Sequence, residues 1–179
     1  MNLQRIADPS PADLRDDAAT LLAALAPPGR RPARTMALLA RSPDLLAPVV
    51  GWAAALALSG TLNKRQHEIV ALRAASRCGS DYEWAEHVAY ARDAGLDADE
   101  IEAIAADTTG KWSRADAALL RATDDLVMRH GMSDATWAEL SANFETSEIV
   151  EVLFVAGQYT MLSMVANAAH LQPPDAPTT

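Results

Sequence analysis

The sequence predicts an all-α protein, and three observations carry that prediction. Apolar residues make up 50% of the chain while aromatics make up only 5%, and abundant alanine, with leucine, favours helix over every other regular state. No run alternates apolar and polar residues with the β-branched enrichment of a strand. Capping patterns recur along the chain, each a Ser, Thr, Asn or Asp just before a periodic apolar segment. A chain of 179 residues suits one domain with a real core. The expectation is a single-domain helical bundle of eight or nine helices over residues 1–172, then a disordered, proline-rich tail over 173–179.

Taken in order, Ser10-Pro11 opens the first helix: serine caps, proline takes the first helical position, and Asp13 favours the positive helix end. That helix is expected to reach Leu25, stopped by Pro27-Pro28-Gly29. The basic loop 30–34 follows, able in principle to hold an anionic group but more simply a solvated charged loop. A short helix covers Thr35 to Ala40. Ser42-Pro43-Asp44 starts another that ends near Gly60, with Trp52 inside it as a core aromatic. Asn63 and Gln66 form a capping box for the next, closed by Gly79. Ser80 or Asp81 caps a helix ending at Gly95, and Asp97 with Glu100 opens a short helix through Ile104. After a turn at Thr108-Thr109-Gly110, Ser113 starts a helix that Gly131 closes, and Ser133 starts one reaching about Asn143. Thr146 caps the last helix, which ends near Leu171.

Charge and hydropathy narrow the partners. A formal net charge of −9 opposes nucleic acid and anionic membranes. The one cysteine, Cys78, cannot form an internal disulfide, which suits a reducing cytoplasm. The N-terminus lacks a basic region followed by an apolar one, so no signal peptide is expected. Val152 to Leu171 approaches a membrane span in length but carries Gln158, Tyr159, Asn167 and His170, and so reads as a buried or subunit-facing helix. Apolar residues on nearly all of its sides point to a homo-oligomer.

The chemistry is concentrated in residues 62–104. Glu68 lies on one predicted helix, Gly79-Ser80-Asp81 breaks the chain, and Glu83 and His87 lie on the next. Four residues apart, Glu83 and His87 share a helix face, and a tight connection can fold Glu68 toward it. Two carboxylates around one imidazole can orient the ring and tune its proton affinity. A buried polar pair that merely ties two helices together is the competing structural reading.

At these residues the chain resembles the carboxymuconolactone decarboxylase family, which includes alkylhydroperoxidase D. The peroxidase branch carries a helix-borne Glu, a turn, and a Cys-x-x-Cys-x-x-x-His run. The decarboxylase branch keeps the Glu and the His without the cysteines. Glu68 matches the first Glu and His87 the last His. Ser80 and Glu83 stand where the peroxidase cysteines would be, and Tyr82 where that branch can carry an extra His. The helical pattern to Asn167 also resembles longer family members.

The resemblance implies an alkylhydroperoxidase D-like bundle, a trimer or hexamer, and a cofactor-free lyase that moves a proton on a small carboxylated or lactone substrate. His87 would be the general acid/base, Glu68 would orient it, and Glu83 could be a second proton carrier. Tyr82, Ser80 and Trp84 would contact substrate, although Trp84 also fits core packing. Lys64, Arg65, Arg73, Arg77 and Arg92 are candidate cations for an acidic substrate, and Tyr159 and Asn167 can reach the site or a neighbouring subunit; sequence does not choose among them. Dithiol peroxidase chemistry needs a second thiol to resolve a sulfenic acid, which Ser80 and Glu83 cannot supply. The alternatives are a thiol-linked reductase using the lone Cys78 and a non-catalytic oligomeric binding protein. No cofactor is expected, and no metal, since a Glu-x-x-His pattern on paired helices is missing and His67, His130 and His170 lack ligand spacing.

Overall fold

A computed structural model describes residues 4–26, 31–106 and 112–174. Among these residues there are nine α-helices, one 3₁₀ turn and no strand. The helices are α1 (Asp16–Ala24), α2 (Arg34–Leu39), α3 (Pro43–Leu58), α4 (Lys64–Arg77), α5 (Asp81–Asp93), α6 (Ala98–Ala105), α7 (Arg114–Arg129), α8 (Asp134–Ser141) and α9 (Thr146–Ala169). The expected stop at Pro27-Pro28-Gly29, Arg30 of the basic loop, the turn at Thr108-Thr109-Gly110 and the tail beyond Pro174 lie outside the described residues.

The centre of the fold is α4, which packs against α5, α6, α7 and α9. Every residue from His67 to Ala75 is buried. Ile69, Val70 and Leu72 are each 0% exposed, and such burial stabilises by roughly 1.5–3 kcal/mol per large aliphatic side chain. Asn63 starts α4 as predicted: its side chain accepts from the Gln66 amide while Gln66 Oε1 accepts from the Asn63 amide. At the far end Gly79 adopts φ 59°, a left-handed turn open to glycine without steric penalty. That reversal lays α5 back along α4. Ser80, not Asp81, is the cap of α5, its hydroxyl accepting from the Glu83 amide.

Several boundaries differ from expectation. Ser10 and Asp13 do form a capping box, but on the 3₁₀ turn Pro11–Asp13; Leu14 is extended, and α1 begins only at Asp16. Asp13 takes the Ser10 amide and hydroxyl together, which closes a local turn rather than starting a long helix. His130, with φ 59°, fills the left-handed position after α7 that the sequence pattern assigns to Gly131. Glu145, paired with Glu148, caps α9, and Thr146 is its first helical residue. Arg34, expected in the basic loop, begins α2, and its amide donates to the Tyr82 hydroxyl at 2.7 Å.

The most consequential correction concerns Trp52. It is 42% exposed and meets Phe154, itself 50% exposed, edge-to-face at 5.2 Å. Only Leu46 of α3 is buried, so this apolar helix lies on the outside of the bundle. α9 is long and apolar enough to cross a membrane by length and composition, yet half of its most apolar stretch is buried in this fold. Its inner side packs on α4, α5 and α7, while Phe154, Met161 and Met164 face outward.

Candidate active site

Because α4 is covered on all sides from His67 to Ala75, the polar residues of that stretch are inside whether or not they are needed for packing. Glu68 is 8% exposed and His67 5%. Buried charge is tolerated only when paired, and the fold-back of α5 supplies the partner. His87 Nδ1 lies 2.8 Å from Glu68 Oε2, with side chains 13% and 11% exposed. A carboxylate only accepts, so Nδ1 carries the hydrogen and Nε2 is the nitrogen left for chemistry.

Burial of His87 works against its charged form, but the hydrogen bond and charge of Glu68, aided by Glu83 and Glu86, outweigh it and raise the imidazole above its ordinary value. Glu83 is 3% exposed, and its Oε1 has no hydrogen-bond partner. Burial pushes its carboxyl up to about 7, opposed by His87 and reinforced by Glu86. The site therefore holds an imidazole that keeps its proton unusually well beside a carboxyl group that also holds one near neutrality, a pairing suited to proton transfer.

The three acid–base residues read from the sequence thus come together. The expected substrate-contact residues distribute differently. Tyr82 is 2% exposed; its hydroxyl accepts from the Arg34 amide and donates to Glu86 Oε1 at 3.0 Å. Ser80 is spent on capping α5. Trp84 is half-buried against the main core. Arg73 and Arg77 share a face as periodicity indicates, and both grip Asp124. Arg65 is paired with Glu100 and Asp116. Asn167 donates to the Cys78 carbonyl at 2.9 Å. Burial raises the Cys78 thiol, making thiolate scarcer.

Tyr159 does reach the site: its ring stands edge-on to His87 at 4.5 Å. Two further neighbours go beyond the sequence reading. Tyr90, 44% exposed, lies with its ring 5.5 Å from that of His87, a contact that the three-residue spacing of the two on one helix could have signalled. His67 Nε2 lies 3.0 Å from the Tyr159 hydroxyl, a contact across 92 residues that no local pattern announces. Two surface hollows, of about 440 and 230 Å³, lie elsewhere, the first lined by Trp112, Arg121 and Glu139 and the second by Arg77, Asp125 and Arg129. Both are lined by ion pairs, Arg121 with Glu139 and Arg129 with Asp125, and neither is lined by Glu68, Glu83 or His87. Among the described residues no group of three or more His, Cys, Asp or Glu side chains is placed to hold a metal ion.

Comparison with solved structures supports the same fold. An uncharacterized peroxidase-related protein from Silicibacter sp. TM1040 superposes with a TM-score of 0.84 at 17% identity, covering 98% of this chain and 94% of that one. An uncharacterized peroxidase-related protein from Ralstonia eutropha JMP134, described as an alkylhydroperoxidase AhpD core, gives 0.84 at 18% identity with the same coverage, 98% and 94%. The debrominase Bmp8 gives 0.78 at 15% identity, covering 92% of this chain and 91% of that one. No curated protein matches the chain. The model of the Carboxymuconolactone decarboxylase family matches residues 43–125, a span that includes α4, α5 and the whole Glu68–Glu83–His87 group. Over residues 43–125 the chain is thus similar to the carboxymuconolactone decarboxylase family.

Proposed function

We propose that this protein is a cytoplasmic, homo-oligomeric acid–base enzyme that decarboxylates or isomerises a small carboxylated or lactone substrate without a cofactor. The observation that carries the reading is the 2.8 Å bond from His87 Nδ1 to Glu68, which fixes the ring and leaves Nε2 to exchange a proton. In decarboxylation, the electron pair of the breaking C–C bond passes into a conjugated carbonyl as carbon dioxide leaves, and His87 Nε2–H delivers a proton to the carbon. In isomerisation, His87 Nε2 removes a proton from one carbon and returns it to another. Glu83, protonated near neutrality, is the second proton source. Thiol-linked reduction is disfavoured by the raised Cys78 thiol and its lack of a resolving partner.

The test is turnover of unsaturated lactone acids, followed by carbon dioxide release and by ultraviolet absorbance of the conjugated system. His87→Ala is expected to abolish turnover while still folding cooperatively, with a lowered melting temperature because Glu68 loses its buried partner, and alkylation of Cys78 to leave turnover intact. Loss on alkylation would instead favour the thiol chemistry. Ligand binding without turnover, equal in wild type and His87→Ala, would favour a binding protein.

A further inference from the structure

Beside His87 lies a polar pair that the acid–base reading leaves unused. Tyr159 on α9 and His67 on α4 are each 5% exposed, with the phenol oxygen 3.0 Å from His67 Nε2. The phenol ring is packed edge-on against two imidazoles, His87 at 4.5 Å and His67 at 5.6 Å. Tyr159 is therefore part of the wall around the reacting ring, and His67 holds its hydroxyl.

The hydrogen in that bond can lie in two ways. If Tyr159 O–H donates to Nε2, a neutral His67 carries its hydrogen on Nδ1, which is buried and has no partner. If Nε2–H donates to the phenol oxygen, Nδ1 is instead a bare acceptor. Burial lowers the proton affinity of His67 and keeps the ring neutral, so both nitrogens cannot donate. Orphaned buried N–H groups are rarer than under-satisfied acceptors, which favours the second arrangement. The phenol hydrogen is then free to point elsewhere. Burial and the charges of Glu68 and Glu83 hold that phenol in its protonated form, opposed only by the Gln158 side chain. Glu83 Oε1 is likewise buried without a partner.

We propose that Tyr159 is a catalytic hydrogen-bond donor, directed by His67, to the substrate oxygen that gains negative charge as His87 moves a proton. The inference rests on the acid–base reading above and sharpens its substrate class: an acid or lactone whose reacting carbon is conjugated to a carbonyl, so that charge collects on oxygen. No proton leaves Tyr159. Its hydrogen bond strengthens as the electron pair of the breaking C–H or C–C bond moves onto that oxygen. His67 is a positioning residue.

The test uses the full chain labelled with ¹⁵N-histidine, with the unsaturated lactone 2(5H)-furanone as probe. Long-range proton–nitrogen correlations should show His67 neutral, with its hydrogen on Nε2. An Nδ1–H tautomer overturns the proposal, because the phenol hydrogen is then spent on His67. Titration with 2(5H)-furanone, followed at His87, should weaken about threefold to tenfold in Tyr159→Phe, the loss of one hydrogen bond. His67→Gln, which can still donate to the phenol oxygen, should recover most of the affinity, whereas His67→Leu should not. Equal affinity in wild type and Tyr159→Phe overturns the proposal. If the probe leaves wild-type His87 unmoved, the acid–base reading fails, and the His67 tautomer still decides whether the Tyr159 hydrogen is free. Tyr159→Phe keeps the ring contacts, and thermal unfolding checks that the fold persists.

Discussion

Replacing Glu83 by Gln should remove a pH-dependent weakness in the fold. The wild-type carboxyl goes from an ordinary 4.5 to about 7 on folding, chiefly through burial. Its native form thus binds more protons than the unfolded chain between those values, and stability falls as pH rises through the interval. The raised-carboxyl contribution is present below pH 4.5 and lost above pH 7. At 1.36 kcal/mol for each pH unit, that loss is about 3 kcal/mol, a figure that already contains the attraction of His87 for the ionised carboxylate. Glutamine does not titrate, so its constant offset from lost packing or pairing cancels when two pH values are compared. Urea unfolding of both proteins at about pH 5 and about pH 8.5 should show the variant gaining on wild type by up to about 3 kcal/mol at the higher pH. Parallel stability curves across that range would refute the reasoning, because they would mean Glu83 titrates alike in the folded and unfolded chains.

Glu68→Gln should weaken the fold by about 1.5–3 kcal/mol, the value of a hydrogen bond to a charged group. Since His87 is raised in the folded state, that difference should be full below its unfolded value near 6.5 and shrink as pH climbs through the folded one; denaturant titrations at several pH values read it. Gly60→Ala should destabilise by about 1–3 kcal/mol, because a methyl group there meets the Glu151 carboxylate, which is already committed to Thr61 and Leu62; a thermal melt measures this. The double substitution Trp52→Ala and Phe154→Ala should cost the isolated subunit about 0.5–1.5 kcal/mol for the lost ring pair, added to the burial lost from two half-exposed side chains, and reduce the mass seen by sedimentation equilibrium. An unchanged mass would detach the outer face of α3 and α9 from assembly.

The parts of this fold legible in the sequence are those set within a few residues. Asn63 with Gln66, Asp97 with Glu100 and Ser113 before Asp116 each announce a helix start, because the caps bond groups only three positions away. The Glu83–His87 spacing is local in the same sense. Trp52 escapes such a reading because an apolar helix looks the same from sequence whether its covering neighbours belong to this subunit or another. His67 escapes it for a related reason: the whole stretch from His67 to Ala75 is buried, so apolar periodicity cannot separate an inward face from an outward one.

That enclosure of α4 from His67 to Ala75 also explains why the proposed acid–base group lies there. Between His67 and Ala75, the helix, sheathed by α5, α6, α7 and α9, offers no solvated side on which a charged residue could rest without a partner. Glu68 can remain only because α5 brings His87 to it, and the same burial that demands the pair raises the neighbouring Glu83. Desolvation here acts in opposite senses on an acid and on an imidazole. It raises the carboxyl directly, while on His87 it is overcome by the carboxylates that surround the ring. Moving the pair to the surface would keep its geometry but return both groups toward ordinary titration, and the ability to hold two protons near neutrality would go with it.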